Sequence, residues 1–227
     1  MFVRIASRHK PVRPWVTMLA VAIGIVLFIA ENQLTGTRKG SLLLAFGTVP
    51  TRLFGALHGP SWAGLIEIGK LFSGLFLHAD WPHLLGNLVF LLIFGSAAEP
   101  SLGSLRFFFL MLVCGALANL AGAYVYPQLS APIIGSSGAV SAILGAYITL
   151  FPRARLGLVI PLGLFIEFVR IPALTLIGLW ILIQGLFVIV GPGTGALAWP
   201  IHLVGFVSGA LIAYASRPAI ARRLRNA

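Results

Sequence analysis

Long apolar runs alternate along the chain with short clusters of charged and turn-forming residues, and these breaks bracket each run. The pattern predicts six membrane spans: about Trp15 to Ala30, Pro82 to Ala98, Phe107 to about Val125, Ser137 to Phe151, about Pro172 to Val190, and Pro200 to Ser216. The Gly191-Pro192-Gly193-Thr194-Gly195 turn separates the last two. Between the first two spans, the stretch 32–80 is broken by Gly40, Gly47, Pro50, Gly55 and Pro60, and no apolar piece in it is long enough to span. Leu156 to Val169 is apolar but holds Pro161, Gly163 and Glu167. It is also shorter than the ~20 residues a spanning helix needs. It predicts an interfacial or hairpin segment.

Charge sets the direction of these spans. With the N-terminus inside, the inner segments hold Arg4, Arg8, Lys10, Arg13, Arg106, Arg153, Arg155, Arg170, Arg217, Arg222, Arg223 and Arg225. The outer ones hold Arg38, Lys39, Arg52 and Lys70. Twelve against four is the bias that the positive-inside rule requires. A seventh span at 156–169 would place the C-terminal arginines outside. The basic flank of the first span resembles a signal peptide. Its end, Phe28-Ile29-Ala30, has a large residue where a small one is expected, so a retained helix is predicted.

Composition agrees. Of 227 residues, 59% are hydrophobic and 9% charged, with a mean hydropathy of +1.00. A soluble domain carries about a quarter charged residues, so a soluble globular protein is excluded. The net charge of +11 forms no basic, aromatic-interleaved face, which argues against nucleic acid as a partner. Absent repeats and uncharged span centres argue against a transporter. The single Cys114 forms no intramolecular disulfide and no Cys-type metal site. The expected fold class is therefore an all-α polytopic membrane protein with six transmembrane helices and both termini cytoplasmic. Its layout is a basic N-terminus (1–14), a membrane domain (15–216) with a large outer loop (32–80), and a basic tail (217–227) suited to anionic lipid.

Three polar clusters lie where spans begin on the outer side. They are His78 to Asn87 at the second span, Gly135-Ser136-Ser137-Gly138 at the fourth, and His202 to Gly209 at the sixth. Polar and ionisable groups inside spans are costly and mark function. The fourth span is only about 22 Å long at 1.5 Å per residue, against a hydrocarbon core of ~30 Å. If its inner end is held near Arg153 and Arg155, Ser137 sits in a depression below the outer surface. A serine needs a base to become a nucleophile. Spans four and six start on the same side, so His202 can serve Ser137 if the two helices are neighbours. Gly205 and Gly209 make a small-residue face that permits close approach. Span four offers Gly138 and Ala142, or Ser141 and Gly145, as the partner face. Gly135 and Gly138 suit a tight turn. Free N–H groups at the helix start suit an oxyanion. His83 and Asn87, at i and i+4, share one helical face and add side-chain donors. No acid sits inside either span, so a Ser–His dyad is preferred to a triad.

Plainer roles are expected elsewhere. Asp80 caps the second span. The spacing of His78, Asp80 and His83 matches no common zinc pattern, and neither metal nor cofactor is expected. Glu31 and Glu67 read as solvated loop residues, and His9 and His58 as surface histidines. Glu99 and Arg106 read as a local polar or ionic link across the inner turn.

With these motifs in hand, the sequence resembles the rhomboid intramembrane serine proteases over about residues 70–216. The likeness rests on His83-xxx-Asn87, Gly135-x-Ser137-Gly138, His202-xx-Gly205-xxx-Gly209 and Gly95-xxx-Glu99-xxx-Gly103. It implies a six-helix rhomboid-like bundle and peptide-bond hydrolysis within the membrane. It also implies Ser137 as nucleophile, His202 as general base, and an oxyanion hole from His83, Asn87 and the Ser137 backbone N–H. The implied partners are the lipid bilayer and transmembrane protein substrates, favoured where small or helix-breaking residues ease local unwinding. Span five and the Gly191–Trp199 turn would move aside to admit them. A prokaryotic cytoplasmic membrane is the expected location. Some members carry a tyrosine one turn after the serine, packed on the histidine. Here that position is Ser141, so His202 must be positioned by something else. The outer loop has Trp62 but lacks a Trp-Arg pair present in some members. The competing function is a non-catalytic rhomboid-like protein that binds membrane helices.

Overall fold

The computed structural model describes residues 13–34, 36–57, 59, 61–162, 165–190 and 198–225. Its centre is α8 (Ser137–Leu150), in which ten consecutive residues, Gly138 to Tyr147, are buried. Small side chains make this possible, because they let neighbouring backbones come close on several sides. α10 (Ala198–Arg225) runs parallel to α8 in near backbone contact. A Cβ added at Gly205 would overlap the Gly138 carbonyl, one at Gly209 the Ala142 carbonyl, and one at Gly145 the Phe206 carbonyl. α7 (Ser104–Val125) closes another side. A Cβ at its Gly115 would lie 3.1 Å from the Ala139 Cβ, and one at Gly122 would lie 2.6 Å from Ile201 Cγ1.

Among the described residues, four helices are long and apolar enough to cross a membrane: α1 (Trp15–Asn32), the continuous stretch Trp81–Leu102, α7, and Ala198–Arg222 of α10. The chain is a helical integral membrane protein. α8, with 14 residues, is shorter. At 1.5 Å per residue it extends about 21 Å. α9 (Ala173–Val190) contributes a shorter apolar described piece, Ala173–Ile183.

The stretch Trp81–Leu102 comprises α5 (Trp81–Phe90), a π-helical turn (Leu91–Gly95) and α6 (Ser96–Leu102). The Asp80 carboxylate accepts from the His83 backbone N–H at 2.8 Å, and Pro82 sits in the first turn. This is the expected N-cap.

Glu99 corrects the sequence reading. It is fully buried and makes no link to Arg106, whose guanidinium donates to the Leu102 carbonyl at 3.5 Å. The Glu99 carboxylate instead accepts from Val16 N (3.0 Å), Thr17 N (2.8 Å), Thr17 Oγ1 (2.8 Å) and Ser104 Oγ (2.7 Å). α1 has no side-chain cap of its own, since its N-cap residue is Pro14. Glu99 satisfies two of the N–H groups that a helix start leaves open, and an acidic group suits that end of the helix dipole.

The segment read as an outer loop is largely helical: α2 (Thr37–Phe46), α3 (Pro50–Leu57), α4 (Ser61–Ser73) and a 3-10 turn at Gly74–Phe76. Two acids here are not solvated as expected. α1 runs two residues past Ala30, which carries Glu31 into a buried position. Glu67 pairs with Lys70 at 2.5 Å, both side chains being about nine-tenths buried. His9 and His58 lie outside the described residues.

The segment 155–172 is a hairpin, so the fold is not purely α-helical. β1 (Arg155–Leu162) pairs antiparallel with β2 (Phe165–Pro172), from Arg155↔Pro172 to Leu162↔Phe165. Pro161 and Gly163 near its tip break any helix. α10 continues through Pro218 to Arg225, and Arg217 donates to the Thr149 carbonyl at the end of α8. The Gly191–Gly195 turn of the expected gate lies outside the described residues, as does nearly all of 1–14.

Candidate active site

Ser137 is the first residue of α8, half-buried, preceded by Ser136 at the N-cap with φ −76° and ψ 3°. Gly135 has φ +110°, a conformation that side chains disfavour. The turn is tied to the segment before the second span. Thr48 and Ile133 exchange backbone bonds of 3.1 and 2.8 Å, and Gly135 N donates to the Gly74 carbonyl at 2.9 Å. Asn119 of α7 holds α4 in turn, through its side-chain bond to the Leu71 carbonyl at 2.9 Å.

His83 lies over this turn. A Cβ on Gly135 would fall 2.5 Å from His83 Nε2. Glycine is therefore required twice here, for its φ and for the imidazole above it. Asn87, one turn along α5, is buried, and its amide nitrogen has no hydrogen-bond partner. A buried polar group left open in this way needs an explanation.

His202 is buried in the first turns of α10. The residues around it face the start of α8: a Cβ on Gly138 would lie 3.1 Å from Ile201 Cγ2, and one on Gly205 would lie 3.2 Å from Ser141 Cβ. The structure thus brings together the starts of α5, α8 and α10, as the three polar clusters suggested. Gly135, Gly138, Gly205 and Gly209 occupy the close approaches. Ser141 donates to the Ser137 carbonyl at 2.7 Å.

Sequence reasoning missed two residues. His78 has a place in the first polar cluster but no role of its own there. It is 1% exposed, and its Nε2 lies 3.3 Å from Ser136 Oγ. Its ring meets His83 edge-on at 5.2 Å. Burial, with the neighbouring His83, pushes its pKa from the ordinary 6.5 down to about 4. It is therefore neutral at pH 7. Its five-residue spacing from His83 was the available signal. The second is Trp180 of α9, whose ring lies 5.4 Å from the His202 ring at 42°. A lone tryptophan in an apolar span carries no mark of this role. Among the described residues, no group of three His, Cys, Asp or Glu is arranged to hold a metal.

The fold and site together define a helical membrane protein in which a serine, histidines and an asparagine gather near the start of a short central helix. A family model described as the Rhomboid domain matches residues 66–219, about two thirds of the chain, and the chain belongs to the rhomboid family. It is similar to a Bacillus subtilis (strain 168) protein named "Putative rhomboid protease YdcA", with 32% identity over 108 residues. That match covers 48% of this chain and 50% of the relative, so the chain spans about half the length of the curated relative it matches.

Proposed function

We propose that this chain is an intramembrane serine endopeptidase that hydrolyses transmembrane protein substrates near the outer membrane face. The observation that supports this reading most is the parallel contact of α8 and α10 at Gly138 and Gly205, the latter three residues from His202 in sequence. His202 takes the proton of Ser137 Oγ as the oxygen attacks the scissile carbonyl carbon. The developing oxyanion is received by the Ser137 backbone N–H, His83 and the unspent amide of Asn87. Collapse of this intermediate breaks the C–N bond, and His202 returns the proton to the leaving amine. Water then attacks the acyl ester with His202 again as base, releasing the new carboxyl end and Ser137. No acid is needed beyond the dyad.

The same reading gives six membrane crossings with both ends cytoplasmic. α8 is the short fourth crossing and α9 the fifth. The location is a prokaryotic cytoplasmic membrane. Access of substrates past α9 and the turn that follows it belongs to this reading too.

Labelling with a fluorophosphonate serine probe tests it. The wild-type protein in detergent or lipid is expected to label, and Ser137→Ala and His202→Ala to lose the label. A folded wild type that stays unlabelled in both media would favour the non-catalytic helix-binding function instead.

A further inference from the structure

We infer that Trp180 of α9 is a positioning residue for His202, which makes the competence of the base depend on where α9 sits. The inference rests on the Ser137–His202 reading above. It begins from a vacancy in the sequence: the residue one turn after Ser137 is Ser141, whose hydroxyl is turned back onto the Ser137 carbonyl and whose Cβ faces Gly205. α8 therefore has no aromatic group to place against the histidine. α9 has one. The Trp180 and His202 rings lie 5.4 Å apart at 42°, within the 4.5–7 Å range in which aromatic pairs attract.

The packing of α9 makes this contact consequential. Among the described side chains of α9, Ala173, Ile177, Trp180 and Ile181 turn toward the bundle, while Leu179, Leu182, Leu186 and Ile189 are exposed. The four inward residues form a narrow stripe, and Trp180 is the largest of them. Together with Trp199, Leu203 and Phe206, Trp180 also lines a small apolar pocket at His202. Withdrawing α9 removes the ring from His202, and returning it re-forms the base. Small displacements of catalytic groups are costly, about a hundredfold in rate for an error near 1 Å.

The experiment compares Trp180→Phe, Trp180→Leu and Trp180→Met in the full chain, reconstituted in lipid with a membrane-anchored substrate. Fluorophosphonate labelling of Ser137 and thermal unfolding are read alongside. Phenylalanine should keep kcat within about threefold of wild type, because it restores a ring. Leucine and methionine fill the space without one. They should lower kcat and the labelling rate by roughly tenfold or more, with KM changed far less, as loss of a transition-state interaction demands. Methionine, the more adaptable filler, carries the comparison if the leucine variant does not fold. Aliphatic variants that fold and cleave as fast as the phenylalanine variant would overturn the inference, leaving Trp180 as packing alone. Ser137→Ala and His202→Ala separate the two levels. If wild type is not labelled, or His202→Ala labels equally, the dyad reading fails and this inference with it. If both controls lose the label while the aliphatic variants keep full rate, only the role of Trp180 fails.

Discussion

At the scale of single residues, the site is assembled from groups whose local surroundings decide their state. Asn87 is buried with an amide nitrogen that nothing accepts. A group of this kind is an uncompensated cost in the resting protein, and an oxyanion would relieve it. Asn87→Ala should therefore lower kcat by about a hundredfold, with a smaller change in KM, measured on a membrane substrate. His78 makes a separate prediction through pH. Its folded pKa is about 4 against an ordinary 6.5. Between those values the unfolded chain binds a proton that the folded one refuses, so stability falls as pH drops from 6.5 toward 4 and is fully kept above 6.5. The loss amounts to about 3 kcal/mol when complete. Melting curves at pH 7 and pH 5 should show this drop in wild type, and His78→Gln should lessen it. The position of His78, close under Ser136 and against His83, was invisible in the sequence, because burial depends on what α1 and α8 do around it.

Elements were legible to the extent that their signals are local. The bounds of α8 follow from the Pro- and Gly-rich approach at Pro132 and Gly135 and from the Pro152 after it. Asp80 and Pro82 announced α5. The hairpin at 155–172 was foreshadowed by Pro161 and Gly163. By contrast, Glu99 looked like a partner for Arg106 because the two are seven residues apart. Besides the nearby Ser104, its partners are Val16 and Thr17, more than eighty residues away. The contact between α8 and α10 gives a test at this scale. Gly205→Val should separate the two helices, because any Cβ there overlaps the Gly138 carbonyl. A loss of both cleavage and several degrees of melting temperature is expected, as overpacking costs about 1–3 kcal/mol or more. Gly178→Ala in α9 is the contrast. Nothing lies within 4 Å of its would-be Cβ, and alanine is favoured over glycine inside a helix by about 1 kcal/mol. That variant should melt no lower than wild type and keep its activity.

For the whole molecule, charge bias and span count together make a topological prediction. Cys114 is buried and is the chain's one cysteine, so a single new cysteine reports its own side. In intact cells, Ser41→Cys in α2 should react with a membrane-impermeant maleimide. Ser216→Cys in α10 should react only after the membrane is opened. The reverse pattern would invert the proposed orientation. The segment 32–80 also acquires a place at this scale. Its Thr48 and Gly74 pin the turn that carries Ser137, so a region that looked like a connecting loop helps to build the site.

The sequence by itself determined the membrane class, the long apolar runs, the charge bias between them and the three polar clusters. Each of these is written in hydropathy, charge or turn chemistry over a few neighbouring residues. Only the tertiary structure decided which helix starts meet, that Glu99 closes the N-terminus of α1, that Glu31 and His78 are buried, and that Trp180 rather than residue 141 packs on His202. Those facts depend on contacts between residues far apart in the chain, which pack closely only because small side chains at Gly138, Gly145, Gly205 and Gly209 let the backbones touch.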